Sequence, residues 1–148
     1  MDETDKKIVA LLQEDCFLPQ AKIAEAVGRV TSSVNERMRQ LKEDGVVRAY
    51  RAELDPDRAG FPILAFVNVL LDDAKHAAAF PKLAVKIPEV LELHHVTGEW
   101  NFLLKIRARS TADLEGVLTG KVKKLRGVVR TSTQIVLVAH KESHALPL

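Results

Sequence analysis

The spacing of three residues in the first third of the chain constrains its fold more than any other feature. Ala24, Gly28 and Val34 stand at offsets of zero, four and ten, which is the spacing of a helix-turn-helix. A small side chain at Ala24 lets two helices cross closely, and Gly28 supplies the positive φ of a tight turn. Val34 then anchors the second helix against the first. The spacing predicts two short helices packed around a turn at Gly28.

Helical periodicity extends on both sides of this motif. Residues 4–16 carry apolar side chains at helical spacing, and Asp2 or Thr4 can cap the start of that first helix. The helix after the turn is predicted over residues 31–44, followed by Gly45, a residue that accepts the left-handed conformation.

A change of pattern follows the third helix. Residues 46–54 alternate enough to predict a strand or a short hairpin, and turn residues follow at positions 55–57. These features predict a domain boundary near residues 55–62.

The second half of the chain alternates strands with helices. The predicted strands cover residues 63–71, 90–97, 102–108 and 128–139, and the predicted helices cover residues 75–87 and 110–127. Pro81 requires a late start or a kink in the first of these helices, and Ser110 with Asp113 has the spacing of a capping box. The order strand, helix, strand, strand, helix, strand predicts a split βαβ domain, so the fold class of the chain is α+β.

The predicted sheet has four antiparallel strands, with both helices on one face. Residues 63–71 are apolar on both alternating faces apart from Asn68, which is typical of a strand covered on two sides. In a chain of 148 residues, only another subunit can cover the second face.

Composition excludes several classes of protein. The chain is 47% hydrophobic and 28% charged, which is typical of a folded protein of one or two small domains. Its longest apolar stretch, residues 61–71, is shorter than the roughly 20 residues that span a bilayer. The charged N-terminus does not resemble an export signal. A cytoplasmic location without membrane association is expected, and the single cysteine, Cys16, is expected in a core.

The charge of the chain is unevenly distributed although the net charge is only +2. Residues 1–15 contain two lysines and five acidic residues, whereas residues 16–51 contain seven basic and four acidic residues. The basic segment includes the predicted helix-turn-helix.

The outward positions of the third helix are polar, and their hydroxyl and guanidinium groups can donate hydrogen bonds to phosphates and base edges. Together with Arg29 in the turn, these candidate DNA-binding residues are Thr31, Ser32, Ser33, Asn35, Glu36, Arg37, Arg39 and Gln40. Two other interpretations remain open. The hydroxyl groups can simply cap the helix, and Arg37 and Arg39 can pair with Glu36, Glu43 or Asp44.

Catalytic and metal-binding patterns are weak in this sequence. The consecutive residues His94 and His95 point to opposite faces of a strand, so they cannot chelate one metal, and His140 and His144 lie in an unpatterned tail. The sequence contains no nucleophile elbow, P-loop or dinucleotide-binding glycine motif. We expect no catalytic residues, no metal and no cofactor.

Nearly the whole chain resembles the Lrp/AsnC family of feast/famine transcriptional regulators. The matching segments include DETDKKIVALLQED, KIAEAVG, SSVNERMRQLKEDGVVRAYRAELDP, PEVLELHHVTGEWNFLLKI and GVVRTSTQIVL. The resemblance implies a winged helix-turn-helix domain over residues 1–60 and a ferredoxin-like domain for effector binding and oligomerisation over residues 61–148. It also implies double-stranded DNA as a partner, a homodimer built from back-to-back sheets, and assembly into a tetramer of dimers.

The resemblance further implies an amino-acid effector, bound between subunits by a turn and the last strand. The residues of this chain at those positions are Thr97, Gly98, Trp100, Asn101, Thr131, Ser132 and Thr133. Backbone amides near Gly98 could hold a carboxylate, and hydroxyls and Asn101 could accept an ammonium group. The threonines can equally be ordinary strand residues.

Three departures from the family pattern affect these expectations. Arg29-Val30 stands where Leu-Ser is usual, which moves the predicted helix cap to Thr31. Asn101 stands where the family usually has aspartate, and Pro19 stands where a Ser or Thr cap is common.

Two alternative functions remain open at this point. Lrp-like proteins include sirohaem decarboxylases, for which His94 and His95 would be the candidate residues. The same assembly could also belong to an architectural DNA-binding protein with little response to ligands.

Overall fold

The computed structural model describes all 148 residues, which form two compact units. The first unit contains Met1–Glu53 together with Lys141–Leu148, and the second contains Leu54–His140. No helix combines the length and the apolar character that crossing a bilayer requires.

The first unit is a bundle of three helices: α1 (Glu3–Glu14), α2 (Gln20–Val27) and α3 (Thr31–Glu43). Asp2 caps α1 through a reciprocal capping box with Asp5. Gly28 ends α2 with φ of 66° and ψ of 41°, as the helix-turn-helix spacing predicted. The core of the bundle consists of Ile8, Val9, Leu12, Ile23, Ala24, Val34 and Leu41. Ala24 and Val34 therefore have the packing roles that their spacing indicated.

Two sequence predictions for this unit were wrong. Residues 46–54 form no strand or hairpin, because no other segment of the chain lies alongside them to form a ladder of hydrogen bonds. The cap of α3 is Val30 rather than Thr31, and no side chain caps this helix. Thr31 already has a helical conformation and belongs to the first turn.

The C-terminal tail folds back onto α1. The side-chain amide of Gln13 donates to the carbonyl of Leu146 at 3.1 Å and accepts from its amide N–H at 2.7 Å. The eight residues Lys141–Leu148 thus belong to the first unit, whereas the sequence had assigned all of residues 61–148 to the second domain.

The second unit contains the predicted split βαβ arrangement. Its elements are β1 (Ile63–Leu71), α4 (Ala74–Ala84), β2 (Val90–His95), β3 (Phe102–Ala108), α5 (Thr111–Val117), a π-helical turn (Leu118–Val122) and β4 (Val128–Ile135). The strands form one antiparallel sheet in the order β2-β3-β1-β4. The fold class, the order of strands and helices along the chain and the four-stranded antiparallel sheet confirm the sequence prediction.

The helices cover one face of this sheet. Ala65, Val67 and Val69 pair with Ile106, Leu104 and Phe102 in the ladder between β1 and β3. All six side chains are buried in one cluster with residues of α4, α5 and the π-helical turn. Phe66, Asn68 and Leu70 point to the other face and are only half-buried, since no helix of this chain covers them, whereas Leu64 on the same face is buried.

Several element boundaries differ from the sequence prediction. β4 ends at Ile135 rather than at residue 139, and β2 ends at His95 rather than at residue 97. β2 stops where its neighbour β3 begins, at the pair His95 and Phe102. The ladder between β4 and β1 ends at the pair Ile135 and Ala65. α4 does not start late, since Asp73 caps it and Pro81 lies inside it.

The last helix is also interrupted. After α5, the amide of Lys123 bonds the carbonyl of Leu118, five residues earlier, at 2.8 Å. This wider turn places Val122 in the core, fully buried, while Lys121 faces solvent and pairs with Glu89 at 2.6 Å.

Gly127 joins the π-helical region to β4 in a confined space. Its φ is +86°, and a Cβ at this position would lie 2.3 Å from the Cβ of His76 and 2.8 Å from Oδ1 of Asp72. Its carbonyl also accepts from the amide of Asp72 at 2.9 Å. Both the conformation and the space require glycine here.

Candidate nucleic-acid interface and effector site

The exposed side of α3 is a polar stripe that follows directly from helical periodicity. The predicted DNA-binding residues exposed on it are Thr31, Ser32, Asn35, Glu36, Arg39 and Gln40. Ser33 and Arg37, which were predicted to point outward, lie beside this stripe and are half-buried. The stripe can present hydroxyl, amide and guanidinium groups to a nucleic acid.

Arg37 is directed toward the start of α1 and not toward solvent. Its Nη1 lies 2.7 Å from Oδ2 of Asp2 and 2.7 Å from Oδ1 of Asp5. The two carboxylates, Asp5 before Asp2, raise the pKa of Arg37. The backbone N–H of Asp5 and the Arg37 guanidinium in turn lower the pKa of Asp2. The expected outward position of Arg37 was wrong, because distant acidic groups at the capping box attract it.

Arg39 is exposed and paired along its own helix. Its guanidinium lies 2.5 Å from Oε1 of Glu36 and 2.5 Å from Oε1 of Glu43. The hydrogen bonds that its guanidinium donates to these carboxylates, Glu36 first, raise the pKa of Arg39. This is the charge pairing that the sequence left open, and it offsets the positive charge of the stripe while DNA is absent.

Three arginines of the first unit are exposed and form no ion pair: Arg29 in the turn, and Arg48 and Arg51 after α3. Arg29 was among the sequence candidates, whereas Arg48 and Arg51 were not. The excess of basic residues over residues 16–51 includes Arg48 and Arg51, and it was the sequence signal that could have identified them. Since these cations have no competing carboxylate, they are available to phosphates.

The loop between β2 and β3 contains Thr97, Gly98, Trp100 and Asn101. Gly98 has φ of +106° in open space, and the amide of Val96 closes the loop on the carbonyl of Asn101 at 3.0 Å. The side-chain oxygen of Asn101 accepts from the amide of Leu71 at 2.7 Å. That oxygen is therefore occupied in holding the end of β1.

Arg130 connects this loop to β4. Its guanidinium lies 4.6 Å from the centre of the Trp100 ring and forms an ion pair with Glu99. The side chains of both charged residues are more than half exposed, at 54% and 64%. Sequence reasoning missed Glu99 and Arg130, because the two residues are separated by 31 positions and meet only through the strand order.

The three candidates on β4 do not form one cluster. Thr131 and Thr133 pair with Val69 and Val67 and so lie on the helix-bearing face of the sheet, where Thr131 is half-buried and Thr133 is exposed. Ser132 pairs with Asn68 on the other face. These residues cannot all contact one ligand within a single chain.

A groove of about 750 Å³ lies beside the loop. It is lined by Leu71, Asp72, Asp73, Ala74, Ala77, Ala78, Pro81, His95, Asn101 and Phe102. His95 stacks on Phe102 with ring centres 5.0 Å apart, while His94 bonds Glu92 at 3.1 Å. The two histidines therefore point to opposite faces, as their sequence positions required.

A histidine that the sequence did not single out lies at the N-terminus of α4. Nδ1 of His76 is 2.7 Å from Asp72 and 3.4 Å from Asp73. The Asp73 carboxylate caps the helix by accepting from the amide of His76 at 2.7 Å. Hydrogen bonding to His76 is the main cause that lowers the pKa of Asp72. Capping and ion pairing account for this cluster.

Comparison with known proteins identifies the family. Residues 64–146, more than half of the chain, match the family model of the Lrp/AsnC ligand binding domain. The chain belongs to the Lrp/AsnC family. Residues 1–48 match the model of a winged helix-turn-helix DNA-binding domain, so this Lrp/AsnC protein carries both parts of the family architecture.

Similar proteins cover almost the whole chain. The HTH-type transcriptional regulator FL11 of Pyrococcus furiosus is 36% identical over 148 residues, which are 100% of this chain and 97% of the relative. A regulator from Neisseria meningitidis, solved as an L-Met complex, has a TM-score of 0.94 at 31% identity and covers 99% of this chain and 96% of its own. A feast or famine regulatory protein from M. tuberculosis, complexed with L-methionine, has a TM-score of 0.91 at 28% identity. The match covers 98% of this chain and 97% of that protein's chain.

These findings decide between the regulator and the enzyme that the sequence left open. The chain is a DNA-binding transcriptional regulator of the Lrp/AsnC family. Its relatives bear the names of regulators rather than of enzymes, so the decarboxylase alternative is abandoned.

Proposed function

We propose that this regulator senses a free amino acid and that the bound amino acid changes its assembly or its binding to DNA. The observation that carries this proposal is the grouping of Glu99, Trp100 and Arg130. A guanidinium and a carboxylate stand side by side at the surface, against an aromatic ring.

An α-amino acid has matching chemistry. Its carboxylate can replace Glu99 as the partner of Arg130, and its ammonium group can bind the carboxylate that is released. Its side chain can then lie against Trp100. Gly98 and Thr97 add backbone and hydroxyl groups at the edge of the same loop, and Ser132 adds a hydroxyl group on β4. Two of the similar structures contain L-methionine, which supports an amino acid as the class of effector.

The proposed effector site has a different composition from the one expected. We retain Thr97, Gly98, Trp100 and Ser132 as candidates and add Glu99 and Arg130. Asn101 acts first in the fold, since its side chain holds β1. Thr131 and Thr133 lie on the face of the sheet opposite to Arg130 and Ser132, so we leave them out of the site.

For DNA, we propose that the polar stripe of α3 enters the major groove and that Arg29 contacts a neighbouring phosphate. The stripe residues Thr31, Ser32, Asn35, Glu36, Arg39 and Gln40 are the candidates for base and phosphate contacts. Arg37 has a positioning role instead, because it ties α3 to the start of α1. Ser33 lies at the edge of the stripe.

We further propose that the regulator is a homodimer and that dimers join into a tetramer of dimers. Phe66, Leu70 and Leu103 point to the sheet face that no helix covers, and each is half-buried. A second sheet packed on this face would bury them. A symmetric dimer then offers two recognition helices to successive major grooves about 34 Å apart, so its operators should be near-palindromic.

The effector can act on this assembly only through its different affinities for two states. We propose that residues 1–60 bind DNA and that residues 61–148 carry effector binding and oligomerisation. The C-terminal tail belongs structurally to the first of these two parts. The expected place of action is the cytoplasm.

The first experiment is a DNA-binding titration with the full chain. The probe is the DNA upstream of the regulator's own gene, at two salt concentrations, with and without a pool of the twenty amino acids. Binding that depends on salt and changes with the pool supports the proposal, and dividing the pool then identifies the effector. Tight binding that ignores the pool would favour an architectural role.

Two variants locate the effector site. Arg130→Ala should abolish the response to the pool while leaving DNA binding without amino acids unchanged. The matched control is Arg126→Ala, which removes another exposed arginine of the same unit and should keep the full response. An unchanged response in Arg130→Ala would show that the effector binds elsewhere.

A further inference from the structure

Val30 occupies a position where its side chain contributes little to the fold. It lies between the Gly28 turn and α3, as the N-cap of the recognition helix, with φ of −78° and ψ of 148°. Its side chain is 69% exposed and does not belong to the core cluster of the first unit. Burial therefore does not explain a β-branched residue here.

Capping does not explain Val30 either. Valine is among the least favourable N-cap residues, because it has no side-chain oxygen to accept from the first amides of the helix. Only its backbone acts in the cap, where its carbonyl accepts from the amides of Ser33 and Val34 at 3.1 and 3.2 Å. Any residue would supply that carbonyl.

The neighbours of Val30 are all suited to DNA. Arg29 on one side is exposed and has no ion pair, and Thr31 and Ser32 on the other side are exposed hydroxyl residues. Val30 is thus an apolar group within a polar surface, at the end of the recognition helix that contacts base edges in this motif. Among the groups that base pairs present in the major groove, the 5-methyl group of thymine is the apolar one.

We infer that Val30 is a specificity-determining residue that contacts the 5-methyl group of one thymine in each operator half-site. The contact removes the exposed isopropyl group and the methyl group from water together. This inference rests on the DNA-binding activity of the chain and is independent of the proposed effector.

The experiment uses the full chain and DNA selected by it from a random pool. Each thymine of the selected half-site is replaced in turn by deoxyuridine, which removes the methyl group and keeps base pairing. Affinities are measured for the wild type, Val30→Ala and Val30→Ser. The matched control is Val46→Ala, since Val46 is 48% exposed in the same unit but lies outside the recognition helix.

For the wild type, we expect one thymine per half-site at which deoxyuridine weakens binding roughly fourfold, the equivalent of about one buried methyl group. In Val30→Ala and Val30→Ser, the affinities for thymine and deoxyuridine at that position should become equal, while Val46→Ala should keep the wild-type ratio. Thermal unfolding by circular dichroism verifies that the variants are folded.

Three results would overturn the inference. The first is a selection that yields no preferred sequence, and the second is a wild type that is indifferent to deoxyuridine at every thymine. The third is a thymine preference that survives unchanged in both Val30 variants, which would assign the methyl contact to another residue. If a variant does not fold, the wild-type deoxyuridine series together with the other variant still decides the question.

Discussion

Gly127→Ala should destabilise the second unit strongly. The substitution has two separate costs, because Gly127 has φ of +86° and because a new Cβ would lie 2.3 Å from the Cβ of His76. A left-handed conformation costs an alanine about 1–2 kcal/mol, and forcing an extra carbon into a packed site costs about 1–3 kcal/mol more. The expected loss is therefore about 2–5 kcal/mol, a large fraction of the stability of a small domain.

Urea denaturation followed by tryptophan fluorescence measures this loss in the correct unit. Trp100 is the single tryptophan of the chain and lies in the second unit, so its signal does not report the three-helix bundle. With an m-value of about 1 kcal/mol/M, the urea midpoint should fall by about 2 M or more.

Gly98→Ala is the control that separates the two costs. Gly98 also has a positive φ, +106°, but a Cβ there would meet nothing within 4 Å. Its substitution should cost only the backbone component, about 1–2 kcal/mol. Equal losses of stability in the two variants would contradict the argument from crowding, and no loss in Gly127→Ala would contradict both parts of it.

Three further predictions test other parts of the molecule. Glu36→Gln removes one of the two carboxylates that pair with Arg39, so binding to DNA should strengthen. In a plot of the logarithm of the binding constant against the logarithm of the salt concentration, the slope should steepen by up to about one. Fluorescence anisotropy measures both quantities. The pKa of Asp2 is lowered in the folded state. The ionised Asp2 carboxylate therefore stabilises the first unit at a pH above the unfolded-state pKa, and this stabilisation is lost as the pH falls through the folded-state pKa. The melting temperature measured from the helical circular-dichroism signal should therefore decrease at pH values below about 4. The decrease should be smaller in Asp2→Asn. Phe80→Ala truncates the largest fully buried side chain and should cost about 3–5 kcal/mol in urea denaturation, whereas a loss below 1 kcal/mol would contradict its central place in the core.

The parts of the fold that sequence reasoning predicted are those that depend on local pattern. The strand over residues 63–71 was predicted with the bounds that the structure has, because apolar residues fill both of its faces between clear turn residues. The left-handed turn at Gly28 was predicted because only glycine accepts that conformation without strain.

The parts that were not predicted depend on residues far apart in the chain. Arg37 binds Asp2 and Asp5, which precede it by 35 and 32 positions, and Arg130 binds Glu99 across the strand order. Residues 46–54 alternate like a strand, but a strand also needs a neighbour, and alternation carries no information about that neighbour. The sequence predicted a candidate site made of a loop and a strand, and its residue list did not include the charged pair Glu99 and Arg130 that joins the two.

The π-helical turn at Leu118–Val122 has a consequence for how chain length can vary in this family. A regular helix after Val117 would place Lys121 where Val122 now fills the core, so the wide turn accommodates one surplus residue. Gly120 lies within it, exposed, with nothing within 4 Å of an added Cβ. Deleting Gly120 would restore regular helical geometry and keep Val122 inward. This position can thus gain or lose a residue over evolution while the core side chains stay in place.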